Sequence, residues 1–167
     1  MTMGIQQLMR QIEQVRDAFH AAVHVDRDAA AAEALLGETC VLVNAPIGTG
    51  GGDPAAIRRY LAEDVLPALP DDLEFERVSR TVDQRRVVDE VRVRFTHDRE
   101  LPWLLPGVPA TGERAEVLAI GVVSFRHRST AGRTESRISA HRTLWDHAGL
   151  CVQLGVDPAV ALAAARA

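Results

Sequence analysis

The chain has 167 residues, of which 47% are hydrophobic and 25% charged, and its formal net charge is -4 at pH 7. This length predicts one domain over residues 1–167 with one core. The acidic balance offers no basic surface for nucleic acid. No apolar run reaches the roughly 18 residues of a membrane span. The first residues lack the apolar segment of a signal peptide, so we expect a cytoplasmic protein that binds no membrane.

All 19 basic residues are arginine. The lack of lysine excludes a lysine Schiff base and a Walker-type phosphate site. Frequent Ala and Arg are typical of a GC-rich bacterial genome. Cys40 and Cys151 lie far apart without CxxC spacing, so we expect buried free thiols.

The first half of the chain predicts helices. Over residues 4–25 apolar side chains recur at i, i+3, i+4 and i+7, the spacing of an amphipathic helix. An Ala-rich helix is expected at 28–36, a short strand at 39–44, and a third helix from Asp53 and Pro54 to about Leu66. The GTGGGDP run before that third helix is expected to be a plain loop, although a helix N-terminus can also bind an anion.

The second half predicts strands. They are expected at 73–82, 86–98, 113–128 and 133–146, with a hairpin turn at 129–132 and a last short helix from Asp157. Early helices and late antiparallel strands predict an α+β fold. A strongly bent sheet around the long first helix would enclose a pocket.

Asp146 ends the last predicted strand beside Trp145. A carboxylate held among apolar groups has a raised pKa and can transfer protons near neutral pH. Strand alternation would place it on one face with Arg142 and Leu144, opposite His141, Thr143 and Trp145. The alternative is that Asp146 caps the next segment, where Gly149 indicates a turn.

Histidines give weaker signals. His97 shares a strand face with Val93 and Phe95 and precedes an apolar loop containing Trp103, so it lines either a cavity or the core. His20 and His24 have the i, i+4 spacing of a metal pair, but no third ligand is evident. We expect a solvated helix face there, and no metal.

Three segments together resemble SnoaL-like proteins of the nuclear-transport-factor-2-like superfamily, within the ester-cyclase-like branch. They are VVDEVRVRFTHD (87–98), LPGVPATGERAEV (105–117) and LWDHAGLCVQLGV (144–156), combined with the long N-terminal helix. The resemblance covers roughly residues 5–156. It implies a cone-shaped, curved antiparallel sheet around that helix, an internal pocket, a homodimer packed through the sheet, and no cofactor.

The resemblance also implies site residues. The pocket acid of the family matches Asp146, and its ThrHis position matches Thr96 and His97. Asn44 lies on an early strand that lines the pocket in similar proteins. Asp98 and Arg99 depart from the residues common after ThrHis, and Arg142 stands where an aromatic is common.

These features lead to a hypothesis of a small cofactor-independent enzyme: a cyclase, isomerase or hydrolase acting on an apolar carbonyl- or epoxide-containing metabolite. Asp146 would be the general acid/base, and His97 would orient it or polarise the substrate. Asn44 and Arg142 would bind an oxyanion, and Trp103 and Tyr60 would shape the pocket. The alternative is a binding or dimerisation module without chemistry. Trp145, Thr143 and Phe125 are expected on the outer, dimer-forming face of the sheet.

Overall fold

The computed structural model describes residues 3–166, which form five α-helices, a π-helical turn (Leu61–Val65) and a 3-10 turn (Leu66–Ala68) that follow α3, and a six-stranded sheet. The helices are α1 (Ile5–His24), α2 (Ala29–Glu33), α3 (Pro54–Tyr60), α4 (His147–Leu154) and α5 (Pro158–Arg166). The strands are β1 (Leu36–Asn44), β2 (Thr49–Gly51), β3 (Glu74–Val82), β4 (Arg86–Thr96), β5 (Arg114–Thr130) and β6 (Arg133–Trp145). No helix of this part of the chain is long and apolar enough to cross a membrane.

Helix α1 forms as its apolar spacing predicts. Its inner stripe buries Ile12, Phe19, Ala22 and Val23 against the sheet. Arg16 lies on the same stripe, one turn after Ile12, and is only 9% exposed. The core therefore receives a positive charge from the middle of α1.

The sheet has the order β2-β1-β6-β5-β4-β3. The four predicted strands of the second half are confirmed as an antiparallel array from β3 to β6. The expectation of a wholly antiparallel sheet is wrong at one place, because β1 runs parallel to β6. Register shifts interrupt β1, β3 and β6, and such bulges bend strands and increase their twist. The result is a mixed, curved and unclosed sheet wrapped around α1, the α+β architecture expected from the sequence.

The glycine-rich run forms β2, which the sequence did not predict, instead of a plain loop. Gly50 has φ 142°, and a Cβ there would overlap the carbonyl of Leu42. A Cβ on Gly51 would collide with the backbone of Ile57 at the start of α3. These glycines allow β1, β2 and α3 to approach closely. Asp53 then caps α3 by accepting the Ala56 N–H at 2.8 Å.

The loop between β4 and β5 packs down on the sheet, as its apolar sequence indicates. Leu101, Leu104 and Leu105 are buried together with the inner face of β4 and with α4. A second buried cluster surrounds α1, α3 and the other end of the sheet. Trp103 packs against both clusters and lies where they meet.

The convex face of the sheet carries an apolar patch. Val41, Leu118, Ile120 and Leu144 are each between 42% and 45% exposed, and Ile120 lies directly opposite Leu144. The expectation that Trp145, Thr143 and Phe125 occupy this face is wrong. Phe125 is buried in the core, and the other two face the concave side. Salt-bridged arginines and glutamates of β3, β4 and β5 border the patch.

We propose that this patch pairs with a second copy of the chain, because it is apolar at its centre and carries both charge signs at its border. Light scattering at micromolar concentration should give twice the mass of one chain. Ile120→Glu should give a monomer, since it places a charge in the apolar centre. Val152→Glu on α4, where Val152 is 74% exposed, is the control and should remain dimeric. A monomeric wild-type protein would contradict the proposal.

Candidate functional site

A cavity of about 160 Å³ lies between α1, the turn after α3 and the concave face of the sheet. Most of its wall is apolar, with Phe19, Val23, Leu42, Phe75, Val93 and Val117 among its members. Polar side chains on the wall come from α1, β1, α3 and β6 and comprise Arg16, His20, His24, Asn44, Tyr60, His141 and Thr143. No Asp or Glu is among the described residues that line the cavity.

Arg16 supplies the positive charge of the cavity wall. Its Nε lies 3.3 Å from Oδ2 of Asp89, an ion pair in which both side chains are nearly buried. That contact does not meet hydrogen-bond geometry, and Arg16 makes no other side-chain hydrogen bond within residues 3–166. Burial lowers the pKa of the Arg16 guanidinium, while the charge of Asp89 opposes this shift. Arginine nevertheless stays charged in proteins.

Asp89 is shared with a second arginine. Arg80 donates to its two oxygens at 2.6 and 3.0 Å, a bidentate pair. Arg80 also donates to the exposed Asp17 at 2.8 and 3.2 Å, so a network runs from the surface of α1 to the cavity. Both oxygens of Asp89 therefore accept hydrogen bonds from Arg80, and Arg16 has only an electrostatic contact with Asp89.

Three histidines surround this charge. Burial lowers the pKa of His24 to about 3, with further lowering from His20 and Arg16. Burial followed by the charge of Arg16 likewise lowers the pKa of His141 to about 3. The pKa of His20 is lowered by burial and then by Arg16. All three imidazoles are therefore neutral at pH 7.

Five polar atoms of the cavity wall are buried and have no hydrogen-bond partner among the described residues. They are Arg16 Nε, His24 Nδ1, His141 Nδ1, Trp103 Nε1 and Trp145 Nε1. An unpaired buried polar group costs about 1–3 kcal/mol, so such a concentration in one cavity calls for an explanation. Arginine and tryptophan nitrogens can only donate hydrogen bonds, so three of these atoms are donors without an acceptor in the described part of the chain.

A separate polar cluster lies on β1 and α3. The amide nitrogen of Asn44 donates to the hydroxyl of Tyr60 at 2.7 Å and lies 3.1 Å from the hydroxyl of Thr49. It also lies 3.3 Å from the carbonyl of Trp103. Burial raises the pKa of Tyr60 to about 12, so its hydroxyl stays protonated. The structure thus brings Asn44, Tyr60 and Trp103 together on the cavity wall, and their role in binding stays a prediction.

The other predicted site residues lie elsewhere. Arg142 is exposed on the convex face, and Asp146 is exposed at the start of α4. The alternation predicted for β6 is confirmed, but the expectation that the set with Arg142 and Asp146 faces inward is wrong, because His141, Thr143 and Trp145 face the cavity. Asp146 Oδ1 accepts the Gly149 N–H at 2.9 Å as the N-cap of α4. A Cβ on Gly149 would overlap this carboxylate, so the pair of residues fits the capping interpretation.

His97 is fully buried but does not line the cavity. Its Nδ1 lies 3.1 Å from the hydroxyl of Thr111, and its backbone bonds to the chain at 111–113. Thr96 donates to Asp72 at 2.6 Å instead of turning inward. His97 therefore joins the two ends of the loop between β4 and β5, and Thr96 ties the end of β4 to Asp72 before β3. The hydrogen-bond partner of the His97 side chain is Thr111 and that of Asp146 is Gly149, so the two residues are not bonded to each other.

The pair His20 and His24 is not a solvated helix face, which corrects that expectation. Their rings pack on each other at 4.7 Å and on Phe75 at 4.8 and 4.4 Å, inside the concave sheet. Within residues 3–166 no three His, Cys, Asp or Glu side chains are arranged as metal ligands.

Sequence reasoning missed Arg16, Asp89 and His141. The signal for Arg16 was present, since it stands four residues after Ile12 and three before Phe19 on the apolar stripe. Asp89 has the same strand parity as Val87, Val91 and Val93. Charged residues at such core positions are rarely buried unless they form an ion pair. The sequence does not show that Arg16 and Asp89 pair with each other.

The profile of the SnoaL-like domain family matches residues 13–132. The chain belongs to the SnoaL-like domain family. That match runs from the middle of α1 through β5, so it includes Arg16, Asn44 and Asp89, and it ends before β6. No curated protein matches the chain significantly.

Solved structures share the SnoaL-like fold. A candidate SnoaL-like polyketide cyclase from Jannaschia sp. CCS1 has a TM-score of 0.63 at 16% identity, covering 95% of this chain and 98% of that chain. TsrD from Streptomyces laurentii has a TM-score of 0.61 at 19% identity, covering 89% and 97%. IdmH, a candidate polyketide cyclase from Streptomyces antibioticus, has a TM-score of 0.58 at 20% identity, covering 87% and 99%. At these identities the likeness shows the fold alone.

The cap geometry of Asp146 predicts how its variants behave. Asp146→Asn should leave the free energy of unfolding nearly unchanged, because Asn caps a helix about as well as Asp. Asp146→Ala should lower it by about 1 kcal/mol. Urea denaturation measures both, and Asp53→Ala at the cap of α3 is the matched reference. An Asn variant as unstable as the Ala variant would show that the carboxylate does more than cap.

Proposed function

We propose that this SnoaL-like chain is a cofactor-independent acid–base enzyme acting on a small apolar metabolite with a carbonyl or epoxide group. Isomerisation, ring closure and hydrolysis all fit this chemistry. The observation that carries the proposal is the group of neutral imidazoles in a largely apolar cavity. Neutral imidazoles can donate to a carbonyl oxygen or accept a proton from carbon.

His20 is the proposed proton-transfer group. Neither of its ring nitrogens bonds to another described residue, and it is only half-buried, so a proton can exchange at this position. His24 and His141 have pKa values of about 3 and are too weakly basic to hold a proton at pH 7. Their proposed role is to donate hydrogen bonds to the substrate oxygen, as a neutral imidazole can polarise a carbonyl.

The chemical step then needs only residues of the wall. His20 removes a proton from the carbon next to the carbonyl, and negative charge develops on the carbonyl oxygen near His24 and His141. Return of the proton to a different carbon completes an isomerisation. The apolar wall excludes water, which strengthens these interactions.

A binding module without chemistry is the second candidate. The observation that favours it is the lack of a carboxylate among the described cavity-lining residues. The reducing cytoplasm remains the proposed location for either candidate, since Cys40 and Cys151 are both free and buried.

Proton exchange in D2O separates the two candidates. The probe is cyclohex-3-en-1-one, a single-ring ketone, with NMR detection of deuterium at the carbons beside the carbonyl. The wild-type protein should accelerate exchange over buffer, and His20→Gln should remove most of this acceleration, since a positioned base contributes about 10²–10⁴-fold.

His127→Gln is the matched control, because His127 lies on the β5–β6 hairpin outside the cavity and bonds to Ser136 and Gln84. Its exchange rate should equal that of the wild type. Binding of the ketone without any exchange above buffer would reject the enzyme and favour the binding module.

A further inference from the structure

The guanidinium of Arg16 has N–H donors that no described residue accepts. It carries five N–H groups, yet its one charged contact is the 3.3 Å ion pair to Asp89. Its Nη2 lies 3.9 Å from the position of a Cβ on Gly121, which itself lines the cavity. The side chain is 11% exposed, so this cation is nearly buried, and it forms part of the cavity wall.

The carboxylates of this network, Asp89, Asp17 and Glu13, all contact Arg80, and only Asp89 pairs with Arg16. Asp89 lies within the core, but its two oxygens are hydrogen-bonded to Arg80. Asp17 is 58% exposed at its side chain and is bound by Arg80 and Arg77. The neutral His20, His24 and His141 add no negative charge. An anion in the cavity would pair with the Arg16 guanidinium through charge-assisted hydrogen bonds.

The size and lining of the cavity restrict the rest of the ligand. About 160 Å³ is close to the roughly 150 Å³ of an apolar cavity that holds benzene. Phe19, Val93 and Val117 offer apolar surface to a ring. The rings of Trp103 and Trp145 also belong to the cavity wall.

We propose that the cavity binds a small apolar carboxylic acid in its ionised form, with the carboxylate on the Arg16 guanidinium and a single ring against the apolar wall. Such an acid would be the substrate class of the proposed enzyme. The inference rests on the proposed function only in taking this cavity as the active site. A carboxylate matches the planar fork of arginine and accepts two parallel hydrogen bonds.

Binding of a carboxylate would also change the histidines. Arg16 is one of the charges that lower the pKa of His20, His24 and His141. A negative ligand beside Arg16 offsets that charge, so the pKa of each imidazole should rise on binding. The substrate would thereby make His20 a better proton acceptor.

Benzoate and benzamide test the inference, because they differ mainly in charge. Titration calorimetry at pH 7 should show that wild-type protein binds benzoate at least about tenfold more tightly, the effect of one good charge-assisted hydrogen bond. Arg16→Met should lose this preference while its binding of benzamide persists. Arg126→Met, which removes an exposed arginine of β5, should keep the preference.

Equal binding of the two probes, failure to bind either, or a preference that survives Arg16→Met would overturn the inference. If Arg16→Met fails to fold, Arg16→Lys serves instead, since it keeps the charge and loses the fork. It should weaken the preference for benzoate, and an unchanged preference would count against the proposal. Ketone exchange without benzoate preference would reject this inference alone. Benzoate preference without exchange would reject only the proposed enzyme.

Discussion

The structure depends on one buried interaction, the ion pair between Arg16 of α1 and Asp89 of β4. Two charges in a core are costly to desolvate, and their attraction offsets this cost only when geometry and further hydrogen bonds are good. Arg80 supplies those bonds to Asp89 and links the pair to β3. The network therefore fixes α1 across the concave sheet. It also fixes the electrostatics of the cavity, since the unpaired side of Arg16 faces the same space.

From that constraint the other properties of the cavity follow. A nearly buried cation, an apolar wall and deep burial all disfavour protonated imidazole, so the histidines near Arg16 stay neutral. The same wall contributes donors from Trp103 and Trp145 that no described residue accepts. A buried cation disfavours a second positive charge nearby, which is why an uncharged or anionic ligand is proposed. Because the histidines are neutral, proton transfer is assigned to an imidazole, whereas the sequence pointed to a carboxylate.

Much of the fold could be predicted from the sequence, because α1 and the strands β3 to β6 have clear periodicities. The parallel pairing of β1 with β6 has no local signal. The orientation of β6 could not be settled by pattern, since Leu144 and Trp145 are both large and apolar and point to opposite faces. A register shift near Ser139 further breaks its alternation. Asp146 was therefore assigned to the cavity, although the cap signal of Gly149 was visible. Asn44, Tyr60 and Trp103 do line the cavity, since the strand, helix and loop that carry them were recognised, and their role in binding stays a prediction.

The most direct test of this account is the NMR titration of the histidine rings in wild type and Arg16→Met. Folding lowers the pKa of His24 and His141 from 6.5 to about 3, so the unfolded state binds more protons between these values and stability should fall as the pH drops below about 6.5. Both rings should stay neutral from pH 8 to pH 5 in the wild type. In Arg16→Met their midpoints should move upward while remaining below 6.5, because burial persists. Wild-type rings that titrate near 6.5, or midpoints unaffected by the loss of Arg16, would contradict it.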